Sequence, residues 1–106
     1  MENRLESFAV IVSSKAKQML VEHSAFLAEV SLDAALRLAD EFEKAALSLE
    51  SLPFRCPWLK NEYIPANKYR FLVFEKYYML LYQVVDKNVY VDYVLDCRQD
   101  YGWLLR

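Results

Sequence analysis

The chain has one glycine, one histidine, two cysteines and three prolines among its 106 residues. With Gly102 as its only glycine, it lacks a Gly-rich loop that would let backbone N–H groups close on a phosphate. One histidine and two cysteines 41 positions apart, Cys56 and Cys97, spell out neither a metal-ligand cluster nor a disulfide framework. No metal and no cofactor are expected. No stretch approaches the ~20 apolar residues of a membrane helix, and the opening Met1-Glu2-Asn3-Arg4 does not read as a leader. No membrane partner and a cytoplasmic location with free thiols are the expectation. A basic excess is missing too: 13 basic residues face 15 acidic ones, for a net charge of -2. Proteins that live on nucleic acid usually carry such an excess.

What is present is apolar and aromatic. Hydrophobic residues at 56% exclude a disordered tail, and the length suits one domain spanning residues 1–106. Charge is split along the chain. Residues 1–52 hold five basic and nine acidic side chains; residues 53–106 hold eight and six. Any anionic partner is met mostly by the second half.

Phe8-Ala9-Val10-Ile11-Val12 is a short β-branched run that reads as a central strand, apolar on both faces. Ser13 or Ser14 offers a cap. From Lys15 the apolar positions Ala16, Met19, Leu20, His23, Phe26, Leu27 and Val30 follow a 3.6-residue period, which predicts an amphipathic helix. Ser31 caps a second helix, whose apolar face is expected at Leu32, Ala35, Leu36, Ala39, Phe42, Ala46 and Leu49. Pro53 ends it. The short link between them predicts an antiparallel helix hairpin. Residues 52–67, with all three prolines, form an irregular surface connection.

Residues 69–74, 77–85 and 89–97 read as three consecutive antiparallel strands, rich in aromatic and branched residues. Alternation puts Val89, Val91, Tyr93, Leu95 and Cys97 on one face, toward the helices, and Asp92 and Asp96 on the other. Cys97 reads as a core thiol. The two aspartates, roughly 13 Å apart, are too distant for a glycosidase pair and read as solvated strand carboxylates. His23 reads as a packed helix residue. The architecture is α+β: an N-terminal strand, a helix hairpin and a three-stranded antiparallel meander in one small sheet.

The chemistry-bearing set is basic and aromatic: Arg55, Lys60, Lys68, Arg70, Arg98 and Tyr101. If the ends of the sheet converged, these groups would cradle a phosphate while a tyrosine stacked on a base. Unshifted lysine and tyrosine are poor bases near neutrality. From composition alone, ordinary solvated charges are the favoured reading.

The segments 69–73, 78–84 and 89–91, and above all Val94-Leu95-Asp96-Cys97-Arg98-Gln99-Asp100-Tyr101, resemble the RelE/ParE toxin superfamily of bacterial type II toxin–antitoxin modules. The resemblance implies a toxin silenced by a cognate antitoxin, with operator DNA contacted only through the antitoxin. RelE-like members cleave mRNA on the ribosome; ParE-like members poison DNA gyrase. By this resemblance Arg70, Arg98 and Tyr101 would be the catalytic set; Arg55, Lys60 and Lys68, from their place in the basic cluster, are expected with Asp96 to bind nucleic acid or target. Leu72 and Met79 stand where ribonuclease members carry basic residues, and Asp96 where many ParE-like sequences show histidine. Each cation lost from a transferring phosphate is worth a few kcal/mol, so these positions weigh against RNA cleavage. Three readings follow: a gyrase-directed toxin, a ribosome-dependent mRNA endonuclease, and a non-toxic protein-interaction module.

Overall fold

The structure is a computed structural model and describes residues 7–99. Strand β1 (Ala9–Val12) leads into helix α1 (Ser14–Ala28) and helix α2 (Leu32–Ser48). A single 3-10 turn (Pro53–Arg55) opens the long connection to β2 (Arg70–Phe74), β3 (Tyr78–Val85) and β4 (Asn88–Asp96). Each helix begins where a serine satisfies a free N–H: Ser13 Oγ accepts from Ala16 N–H and Ser31 Oγ from Ala34 N–H. Asp33 in the first turn of α2 complements the helix dipole.

The four strands form one sheet in the order β1-β4-β3-β2. β2, β3 and β4 make the expected antiparallel meander, but β1 runs parallel to β4, so the sheet is mixed. β1 is also an edge strand, not a central one. Val10 and Val12 pack against the main core, whereas Ile11, on the opposite face, is 43% exposed. Unbroken apolar character suggests burial on both faces, but among the described residues only one face is covered.

A β-bulge overturns the expected alternation in β4. Tyr93 pairs with Leu81 and Val91 with Tyr82, which leaves Asp92 as an extra residue. Before the bulge Val89 and Val91 face the helices; after it Val94 does, while Tyr93 and Leu95 join the opposite face. Asp92 and Asp96 therefore point to different sides, and neither is a free solvated carboxylate. Cys97, just past the end of β4, is exposed; Cys56 in the connection is the buried thiol.

The main core lies between the sheet and the hairpin, with Ala16, Leu38, Phe42, Leu49, Leu80, Tyr82, Val91 and Val94 at its centre. Burying a leucine such as Leu38 contributes on the order of 1.5–3 kcal/mol. The buried face of α2 is Ala35, Leu38, Phe42 and Ala46. Leu32 and Leu36, assigned inward from sequence, are 65% and 61% exposed, and Phe26 and Val30 of the hairpin are exposed as well. Across the sheet a smaller cluster of Leu59, Tyr69, Met79, Leu81 and Leu95 is closed by the connection.

Candidate functional site

Arg70 opens β2, and its guanidinium reaches back to the connection. Its Nη1 donates to the carbonyls of Cys56 (2.6 Å) and Phe54 (3.1 Å), and the guanidinium lies 3.9 Å from the centre of the Trp58 ring. The backbone repeats the junction: Leu59 N–H donates to the Tyr69 carbonyl and Phe71 N–H to the Pro57 carbonyl. Below, Tyr82 Oη donates to the Pro53 carbonyl at 2.7 Å. Burial, followed by the neighbouring Cys56, pushes the Tyr82 phenol well above its ordinary value. Arg70 thus pins the irregular segment to the sheet. Lys68, with its ammonium over Tyr69, shares a hollow of about 370 Å³ with Arg70, Phe54 and Trp58. Lys60 lies exposed beside an adjoining hollow that shares Trp58, Pro65, Ala66 and Asn67 with the first.

Arg98 follows the end of β4 and folds back on Asp96. The Asp96 carboxylate is nearly buried and accepts from Arg98 N–H (2.9 Å), Nε (3.0 Å) and Nη2 (3.0 Å). Burial alone would raise the Asp96 pKa; the Arg98 hydrogen bonds and charge outweigh it, with help from His23, and hold it below the usual carboxylate range. The Arg98 guanidinium also lies 4.5 Å from the Tyr77 ring centre. His23 lies against Tyr78, with its Nε2 2.9 Å from the Val94 carbonyl. A carbonyl only accepts, so Nε2 carries a proton there.

Arg55 does a third kind of work. Its Nη1 donates to the carbonyls of Ser48, Ser51 and Leu52, and its Nη2 to Ser48 Oγ, which closes the C-terminal end of α2. Tyr101 lies outside the described residues, as does the segment Gly102-Trp103-Leu104-Leu105.

The structure gathers Arg70, Lys68 and Lys60 around Trp58, and places Asp96 with Arg98 at the opposite end of the sheet. Arg70 pairs with Tyr82 and Asp96 with Tyr78. The two groups are thus separated by roughly 13 Å along the strands and about 10 Å across them. Leu72 packs on the main core, and Met79 is buried in the smaller cluster.

Two features escaped the sequence reading. Asp92, displaced by the bulge, accepts from Tyr69 Oη (3.2 Å) and Gln83 Nε2 (3.1 Å). Burial, then the charge of Asp92, drives the Tyr69 phenol well above its ordinary value. A Tyr–Gln–Asp cluster drawn from the residue before β2, from β3 and from β4 has no linear spacing to reveal it. The second is a groove beside Arg98, bordered by Arg37 and the loop of residues 75–77. A pair of charges followed by two tyrosines at 75–78 was its only trace. Among the described residues, no three His, Cys, Asp or Glu side chains gather to hold a metal ion, and no helix is long and apolar enough to cross a membrane.

A family model described as the ParE toxin of type II toxin–antitoxin systems, parDE, matches residues 10–101. Among solved structures, the chromosomal ParDE TA system from P. aeruginosa is similar, with a TM-score of 0.66 over 85% of this chain and 96% of that one. The two are 12% identical, so this likeness speaks for the fold alone. No curated protein matches.

Proposed function

Because this chain belongs to the ParE toxin family of type II toxin–antitoxin systems, we propose that it arrests growth by binding a protein target, DNA gyrase, until a cognate antitoxin sequesters it. The observation that carries this reading is the occupation of its arginines. Phosphoryl chemistry on RNA needs cations aimed together at one developing charge and a proton acceptor near neutrality. Here Arg70 holds two backbone carbonyls, Arg98 holds Asp96, and Arg55 holds the end of α2. The tyrosines Tyr69, Tyr78 and Tyr82 are all driven upward, chiefly by burial, which keeps them protonated near neutrality and leaves no phenolate to accept a proton. A surface that works by contact needs none of this apparatus, only a rigid scaffold, which these clamps supply.

Inducing the chain in a bacterial host without its antitoxin tests the reading. Growth is expected to stop while primer extension on translated mRNA shows no new cleavage sites. New ribosome-dependent cuts, lost in Arg70→Ala or Arg98→Ala protein that still folds, would move the assignment to mRNA cleavage. Undisturbed growth with soluble full-length protein would leave the non-toxic interaction module.

A further inference from the structure

The hollow of about 370 Å³ beside Arg70 is charged in one sense only. Lys68 and Arg70 line it, and among the described residues no carboxylate does. Neither cation makes an ion pair among the described residues. The partners of Arg70 are backbone carbonyls, which leave its charge uncancelled. Asp92, reached through Gln83 on the wall of the hollow, accepts from Gln83 and Tyr69 instead.

The clamp fixes Arg70 and leaves it half unspent. Nη1 donates to the Phe54 and Cys56 carbonyls, and the guanidinium lies 3.9 Å from the Trp58 ring centre and 5.6 Å from that of Phe54. Nε and Nη2 make no hydrogen bond among the described residues. Those two groups form the edge of a guanidinium that meets two oxygens of one anion. Held in place, the edge loses little freedom on binding. Two exposed rings, Phe54 and Trp58, stand beside it. Two amides complete the wall. Gln83 donates Nε2 to Asp92, which orients its amide and leaves Oε1 to accept. Asn67 sits at φ 60°, an angle asparagine tolerates, and its side-chain amide makes no hydrogen bond among the described residues.

We propose that this hollow binds a free nucleoside 5′-monophosphate carrying adenine, its phosphate on Arg70 Nε and Nη2 and on Lys68, its base against Phe54 and Trp58. A phosphate monoester carries about −1.5 to −2 charges near neutrality, which the two cations match. A carboxylate brings half of that. Inorganic phosphate brings the charge but nothing for the rings. The volume lies at the small end of the ~300–1,000 Å³ range of ligand sites, which suits one nucleotide and not a polymer. The amides favour adenine, whose N6 amino group donates and whose N7 accepts: Gln83 Oε1 takes the first and Asn67 serves either. Such binding asks for no phosphoryl chemistry. The inference goes beyond the toxin reading and holds whichever protein is the toxin's target.

The probe is adenosine 5′-monophosphate, titrated into the ¹⁵N-labelled full chain beside adenosine, uridine 5′-monophosphate and inorganic phosphate. Saturable amide shifts are expected at residues 54, 58, 67, 68, 70 and 83, weakening with salt. Adenosine and inorganic phosphate are each expected to bind at least about tenfold more weakly, and the uridine nucleotide roughly fivefold. Lys68→Glu is expected to weaken binding roughly fivefold. Asn67→Gly is expected to narrow the preference for adenine while the melting temperature holds, since glycine takes the same φ at no steric cost. That combination separates a lost contact from a damaged fold. The proposal is overturned by shifts that centre elsewhere or by none, by adenosine or inorganic phosphate binding as well as the nucleotide, by unchanged affinity in Lys68→Glu, or by an adenine preference untouched in Asn67→Gly. A 5′-phosphorylated oligoadenylate that binds more than about tenfold tighter would overturn it in favour of a nucleic-acid strand.

Discussion

Replacing Arg70 with alanine is expected to loosen the fold itself. The guanidinium makes two charge-assisted bonds to carbonyls, at 2.6 and 3.1 Å, and lies over Trp58 at 3.9 Å. Bonds to a charged group contribute about 1.5–3 kcal/mol where buried, and partial exposure reduces that. The ring contact adds about 0.5–1 kcal/mol. Together a loss of about 2–3 kcal/mol is expected. For a domain of this size each kcal/mol moves the melting temperature by about 4–8 °C, so Arg70→Ala is expected to melt roughly 10–20 °C lower. Arg70→Lys keeps the charge but not the planar fork, and falls between the two. Thermal and urea unfolding followed by circular dichroism, with tryptophan fluorescence from Trp58 and Trp103 as a second probe, measure the effect. An Arg70→Ala protein that melts within about 2 °C of the parent yet has lost all toxicity would refute the clamp. Arg70 would then be a free functional cation.

Two further substitutions test the remaining clamps. Asp96→Asn is expected to cost about 1–2 kcal/mol at neutral pH, because a nearly buried carboxylate loses its charge-assisted bonds to Arg98. The Asp96 pKa is depressed in the fold, so its stabilisation is complete above the ordinary carboxylate value and is lost as pH falls through the depressed one. Urea midpoints of the two proteins should accordingly converge in acid; a gap that persists below about pH 2 would contradict the assignment. Tyr82→Phe strands the Pro53 carbonyl and is expected to cost about 1–2 kcal/mol. The Tyr82 phenol is raised, so its contribution is intact below the ordinary phenol value and lost as pH rises through the folded one. The variant is expected to lose less stability than the parent in alkali, as read by denaturant midpoints across that range.

The order of elements was legible because caps and periodicity are local. Ser13 and Ser31 cap as serines do, and residues 69–97 carry β-branched and aromatic runs broken by charged turns. What depended on distant partners was not. The Asp92 bulge reverses the faces of β4 beyond it, and one inserted residue is invisible to a period-two pattern. Helix α2 has apolar residues on more than one face, so Leu32 and Leu36 competed with Leu38 for the inward position, and packing against the sheet chose Leu38. The partners of the cations are backbone carbonyls and a carboxylate set by the fold, which no spacing in the chain announces. Arg70 binds across 14 and 16 residues of chain. Asp96, counted from sequence as opposing a phosphate site, is the anchor of Arg98.

The account turns on a protein target, and gyrase-catalysed supercoiling of relaxed plasmid with the purified full-length chain tests it most directly. Inhibition that rises with the chain's concentration and disappears when the cognate antitoxin is added is the expected result. Full supercoiling in the presence of a large excess of folded chain would contradict it.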